Sequence, residues 1–167
     1  VGSDGARMST VVDLGGCRVT SFSVAPDAVR VALVLERGKT RALGIGLLSR
    51  QEGAVHLSHI ADIPLSSSDV NLSIITDVAW LSQTRLCVLG RAIDAGVTTP
   101  YEIVVDGSGA TSMGQLTATS MAAVVALPKE TGTEAVVLSE DGILLRHEDS
   151  FRWRQILQGV SAVAVTA

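Results

Sequence analysis

An all-β fold is what this sequence predicts, on three observations. Apolar residues make up 47% of the chain but aromatics only 3%, so any core must be filled by Val, Leu, Ile and Ala. Val is abundant, and its β-branched side chain suits a pleated surface better than a helix. Short apolar or alternating runs recur along the whole chain, broken by Gly, Pro, Asp and Ser, with no sustained period of 3.6.

The elements follow in order. Arg18 to Ala25 is a first strand, entered after Gly15-Gly16 and ended by Pro26-Asp27. Arg30-Val-Ala-Leu-Val-Leu-Glu is a second, apolar at consecutive positions as a sheet covered on both faces requires. Ala42 to Leu48 and Val55 to Ile63 complete a first unit. Ile74 to Trp80, Arg85 to Gly90 and Tyr101 to Val105 form the second, closed by Asp106-Gly-Ser-Gly, residues that tolerate positive φ in a tight reversal. Met121 to Leu127, Glu134 to Leu138, Ile143 to Arg146 and the alternating Phe151-Arg-Trp-Arg154 form the third. Ser9 to Leu14 and Val160 to Val165 stand alone as partial-blade strands at the two ends.

The second strands repeat. Arg30 to Arg85 is 55 residues and Arg85 to Glu134 is 49. A period near 50 with four short strands per unit is the signature of propeller blades. The expectation is a single β-propeller segment of about three four-stranded blades, 18–63, 73–115 and 119–158, with flanking strands 9–14 and 160–165. Ala25, Ala79 and Ala123 would let the inner strands approach closely, while Phe22 and Trp80 would fill the wedge between blades. Propellers typically close with about four to eight blades, so three units read as a piece of a longer one whose open edges need cover. The alternative is a two-sheet sandwich made from the same strands.

At 167 residues the chain can bury one core and is too short for two large domains. A net charge of −4, with basic residues thinly spread and mostly Arg, gives no support to a nucleic-acid surface, and no nucleic-acid partner is expected. No run approaches the roughly 20 apolar residues of a membrane span. The opening Val1-Gly-Ser-Asp-Gly reads as a cut chain, so the lack of a signal peptide there says nothing of compartment. Cys17 and Cys87 are expected as two separate buried thiols; the alternative, a bridge, requires Cα atoms within about 7 Å.

No catalytic, metal or cofactor constellation stands out. His56 and His59 are three apart, on opposite faces of a strand, so joint metal binding with Asp62 would need a turn. His147 lies in a polar hairpin, and the carboxylates sit mostly at strand ends and turns, where capping explains them. Gly44-Ile-Gly46 opens no helix, and neither a phosphate loop nor a Gly-x-Ser-x-Gly elbow occurs. Asp77 and Trp80 are channel candidates, because an acid near the inner end of a blade can face the axis. The alternative for Asp77 is a hydrogen bond to a neighbouring blade's backbone. Phe151, Arg152, Trp153 and Arg154 are interaction candidates: alternation puts the two rings on one face and the two cations on the other, and Trp and Arg are enriched where interfaces concentrate binding energy. The competing role for the rings is packing of the last blade. The connections 62–71 and 92–100 are long loops of the kind that meet ligands on a propeller face.

Val11-Val-Asp-Leu-Gly-Gly, Arg18-Val-Thr-Ser-Phe-Ser-Val-Ala-Pro-Asp-Ala-Val-Arg-Val-Ala-Leu-Val, Ile75-Thr-Asp-Val-Ala-Trp80, Leu86-Cys-Val-Leu-Gly-Arg91, Val104-Val-Asp-Gly-Ser-Gly-Ala-Thr-Ser112, Asp141-Gly142 and Trp153-Arg154 together resemble the C-terminal propeller of the LpqB family of actinobacterial lipoproteins. The resemblance covers nearly the whole chain. It implies an exported protein on the outer face of the cell membrane, held by a lipidated cysteine upstream of these residues, with a GerMN-type domain before the propeller. It also implies an accessory role to the MtrA–MtrB two-component system through the extracellular region of the histidine kinase MtrB. It implies no catalytic residue and no cofactor. Its propeller is longer than this chain, so the rest of that propeller is itself an expected partner. A small-ligand or cell-wall glycan module is the alternative function, and a lactonase- or glycosidase-type enzyme the third.

Overall fold

The computed structural model describes residues 14–164 apart from 52, 67–69, 115, 117, 118, 131 and 150. Twelve strands carry the regular structure: β1 (Arg18–Val24), β2 (Arg30–Arg37), β3 (Thr40–Gln51), β4 (Ala54–Ile63), β5 (Leu72–Trp80), β6 (Arg85–Ala92), β7 (Thr99–Val104), β8 (Ala110–Ser112), β9 (Met121–Lys129), β10 (Gly132–Ser139), β11 (Ile143–Asp149) and β12 (Arg152–Gln158). They form three antiparallel sheets, β1-β2-β3-β4, β5-β6-β7-β8 and β9-β10-β11-β12, each a meander in chain order. The first strands sit side by side, β1 against β5 and β5 against β9. Three small sheets sharing an inner edge make three consecutive propeller blades, and the two-sheet sandwich is set aside.

The central blade shows why unbroken apolar runs form strands here. Leu86, Cys87, Val88 and Leu89 of β6 are all fully buried. Leu86 and Val88 enter the core shared with the first blade, beside Ala32, Val34 and Leu43. Cys87 and Leu89 point the other way, into the core shared with the third blade, beside Val124, Ala135 and Val137. Alternation that normally separates core from water separates two cores instead. Each such side chain contributes about 1.5–3 kcal/mol on leaving water. The first blade behaves similarly. Val31, Leu33 and Leu35 face away from the second blade and are covered by Leu14, Cys17, Val19, Leu48, Leu57 and Ile60.

Two local features set the shape. Gly38, at φ +64°, opens the two-residue β2–β3 loop, where a hairpin turn needs positive φ, and thereby carries Lys39 at the tip. In β3, a Cβ on Gly46 would fall 2.4 Å from Leu57 Cδ1, so the glycine leaves the space that the Leu57 side chain of β4 occupies.

Two expectations are corrected. Phe22 does not fill an inter-blade wedge. It pairs with Leu33, which puts it on the side of the first blade turned away from the second, and it is 65% exposed. The wedge is taken by Ser21, Ser23 and the buried Trp80. Residues 160–164 form no strand: Val160 donates its N–H to the Gly142 carbonyl, and no described strand pairs with the rest. The expected strand 9–14 falls on residues 9–13 outside the described set, with only Leu14 inside it, as Val165 also falls outside. Ala25 and Ala79 are buried as expected for inner positions, whereas Ala123 is half-buried.

Candidate functional site

Along the inner edges of β1, β5 and β9 runs a groove of about 690 Å³, and both channel candidates line it. A register shift between Ile75 and Asp77, where β5 meets β6, turns the Asp77 side chain toward its neighbours. Its Oδ1 accepts hydrogen bonds from the Ser21 hydroxyl of β1 and, at 3.0 Å, from the Val78 N–H. Its Oδ2 accepts from the Val124 N–H of β9 at 2.8 Å. One carboxylate therefore ties the first strands of all three blades. It also satisfies a backbone N–H on an inner edge that lacks a ladder partner on that side.

Trp80 does comparable work at the first junction. Its indole Nε1–H donates to the Ser23 carbonyl at 2.9 Å, and its backbone N–H donates to Ser23 Oγ at 3.3 Å. The Arg30 guanidinium lies 5.1 Å from the ring centroid. Arg30 is held in turn by Asp27 at 2.7 Å. Asp27 lies below the usual carboxylate range, chiefly because it accepts the Val29 N–H, with the backbone and side chain of Arg30 acting in the same direction. With these polar groups engaged between blades, what the groove offers to solvent is largely apolar: Phe22 at 65% exposed and Val24 at 47%.

The four interaction candidates separate. β12 starts at Arg152, so Phe151 lies in the turn before it, 67% exposed, with its Cβ against Gly114 at the blade 2–blade 3 rim. Trp153 turns inward instead. Its Nε1–H donates to the Met113 carbonyl at 2.7 Å, and its ring meets His147 with centroids 4.8 Å apart. It staples the third blade to the second as Trp80 staples the second to the first. Arg152 pairs with Asp149 and Glu148, and Arg154 with Glu148. Of the four, Phe151 is the ring left outward.

The remaining sequence candidates are brought to no common site. Cys17 and Cys87 are unbridged. Cys17 accepts from Arg37 Nε at 3.1 Å, while Cys87 lies beside the Met113 sulfur, and its burial pushes the thiol well up. The β3–β4 register shift and a φ of +51° at His59 break the strand alternation between the two histidines. Asp62 is occupied by Arg37, at 2.7 and 3.1 Å. Among the described residues no group of three metal-ligating side chains comes together, and no helix is long and apolar enough to cross a membrane.

The fold also assembles a site that sequence reasoning missed. Lys39, Arg41, Arg91, Glu36, Thr76 and Thr98 line a polar cleft of about 430 Å³ between the first and second blades. Lys39 and Arg91 are 52 residues apart, so no local motif joins them. The signal lay in the repeat. The ends of the second strands of successive blades come out on one face, and Lys39 follows one such end as Arg91 occupies the next.

A family model described as "Lipoprotein LpqB beta-propeller domain" matches residues 3–164. Among curated proteins, a lipoprotein LpqB of Cutibacterium acnes is 96% identical over 167 residues, all of this chain and 28% of that protein. Lipoproteins LpqB of Streptomyces avermitilis and Streptomyces coelicolor are each 30% identical, over 84% and 87% of this chain and 23% of their own length. The chain thus spans about a quarter of the length of the curated relatives it matches. No solved structure gives a significant match.

Proposed function

The chain belongs to the lipoprotein LpqB β-propeller family, and from that premise we propose that it is a non-catalytic interaction domain, carried outside the cell by a membrane-tethered lipoprotein. Its partner in this reading is the extracellular domain of a membrane histidine kinase of the MtrA–MtrB type, toward which it acts as an accessory. The lipid anchor lies upstream of these residues, and further blades of the same propeller cover the outward apolar side chains of the first and third blades, Phe22 and Leu157 among them.

One observation supports the non-catalytic part above others. Asp77, the acid that lines the axial groove, accepts from one hydroxyl and two backbone N–H groups of three different blades. A carboxylate so engaged is occupied as an acceptor and holds strands together. The glycan alternative draws less support, because a sugar stacks on an open ring face and Trp80 is 3% exposed beneath Arg30.

Titration of the purified propeller, in this chain and in the complete lipoprotein, against the kinase's extracellular domain tests the reading. Saturable binding, weakened by Phe151→Ala at the exposed rim, is the expected result. Absence of saturable binding by either form overturns it.

A further inference from the structure

We infer that the cleft between the first two blades, on the face carrying the β2–β3 hairpin, is a binding site for a phosphate ester held by Lys39, Arg41 and Arg91. This goes beyond the kinase-binding reading and does not depend on it.

The charge balance of the molecule makes the cleft unusual. The chain as a whole carries −4, and among the described residues eight arginines are paired with carboxylates. Within the cleft three cations meet one carboxylate, Glu36. That carboxylate is already engaged, with both oxygens 3.1 Å from Arg18 Nη2 and one 3.5 Å from Arg41 Nη2. Among the described residues neither Lys39 nor Arg91 has a carboxylate partner. Like charges gathered in a concave site repel, and the site focuses their potential onto any anion that enters. The surplus of two positive charges matches the roughly −1.5 to −2 carried by a phosphomonoester near neutral pH.

The geometry is held in place from both blades. Arg41, at the start of β3, reaches across to donate to the Ile75 carbonyl of β5 at 3.2 Å, so its guanidinium is positioned at the junction before any ligand arrives. Arg91 stands opposite Ile74 near the end of β6, and Lys39 is presented by the two-residue loop behind Gly38. A guanidinium presents a planar fork of donors that suits phosphate oxygens, and an ammonium adds a movable point charge. Thr76 and Thr98 on the wall can add neutral hydrogen bonds to the alcohol part of an ester. About 430 Å³ holds a phosphate together with a glycerol- or sugar-sized group.

The ester could be a soluble molecule or a lipid headgroup, and the experiment separates the two. Calorimetric titration of the chain with sn-glycerol 3-phosphate reads the first; co-sedimentation with vesicles containing phosphatidic acid, a lipid phosphomonoester, against phosphatidylcholine vesicles, reads the second. Saturable binding in either arm is expected. It should weaken about tenfold or more in Lys39→Gln/Arg91→Gln, the loss of two charge-assisted hydrogen bonds, while far-UV circular dichroism stays unchanged. Both side chains lack described ion pairs, so the double substitution spares the blade contacts. Binding in neither arm, undiminished binding by the double variant, or acetate bound as tightly at equal ionic strength would each overturn the proposal.

Discussion

Replacing Asp77 with Asn should destabilise the chain by about 2 kcal/mol, although the side chain keeps its size. The carboxylate accepts at both oxygens: Oδ1 from Ser21 and Val78, Oδ2 from Val124. An amide has one oxygen. If that oxygen faces Val124, the Ser21 hydroxyl can rotate to accept from the new NH₂, but the Val78 N–H then meets a donor. If it faces Val78, the Val124 N–H does. Either way one backbone donor is orphaned, a loss of about 1–3 kcal/mol for a partly buried group, while the remaining bonds persist without charge assistance. Asp77→Ala removes all three bonds and should cost about 3–4 kcal/mol. With a urea m-value of about 2 kcal/mol/M, the Asn variant moves the unfolding midpoint by about 1 M. A double-mutant cycle with Ser21→Ala isolates the link between the first two blades and should give a coupling of about 1 kcal/mol. Midpoints for both Asp77 variants within about 0.5 kcal/mol of the parent, or no coupling to Ser21, would refute the claim that this carboxylate binds the blades together.

Other perturbations have defined outcomes. Trp80→Phe removes the indole donor to Ser23 and weakens the Arg30 contact, so urea unfolding should show a loss of about 1–2 kcal/mol. Asp27 has a folded pKa below its unfolded value of about 3.9. Its contribution is therefore fully present above about pH 4 and is lost as pH falls through the folded value, so Asp27→Asn should flatten the acid limb of a thermal-midpoint profile. In the native chain a thiol-specific reagent should label the partly exposed Cys17 and leave Cys87 unmodified until denaturant is added, because burial holds the Cys87 thiol protonated; mass spectrometry counts the adducts, and labelling of Cys87 in the folded protein would contradict its burial.

The fold was legible wherever a pattern was local. Val31 through Leu35 and Leu86 through Leu89 read as strands covered on both faces, and they are buried in that way. The period of about 50 residues set by Arg30, Arg85 and Glu134 marks the starts of the second strands of three blades, β2 and β6 at their first residues and β10 within two of its start. Facing was harder. Phe22 and Trp80 are both aromatics on first strands, yet the β1–β2 register turns one outward and the bulge in β5 helps bury the other, and bulges leave no mark in composition. Simple alternation puts Phe151 and Trp153 on one face, but β12 begins after Phe151. The cation cleft was invisible for a different reason. Its residues come from β2–β3, β5, β6 and the approach to β7, and only blade stacking makes them neighbours.

Each sheet closes on itself. Every ladder hydrogen bond among the described residues joins strands that are consecutive in the chain, and neighbouring leaves touch through side chains and a few pins such as Asp77, Trp80 and Trp153. Duplicating or deleting a whole leaf therefore severs no ladder, and its energetic consequence is confined to the two faces it touched. A chain assembled this way can change its number of leaves by whole-unit steps, while a cut inside a leaf would strand backbone donors and acceptors in an apolar interior.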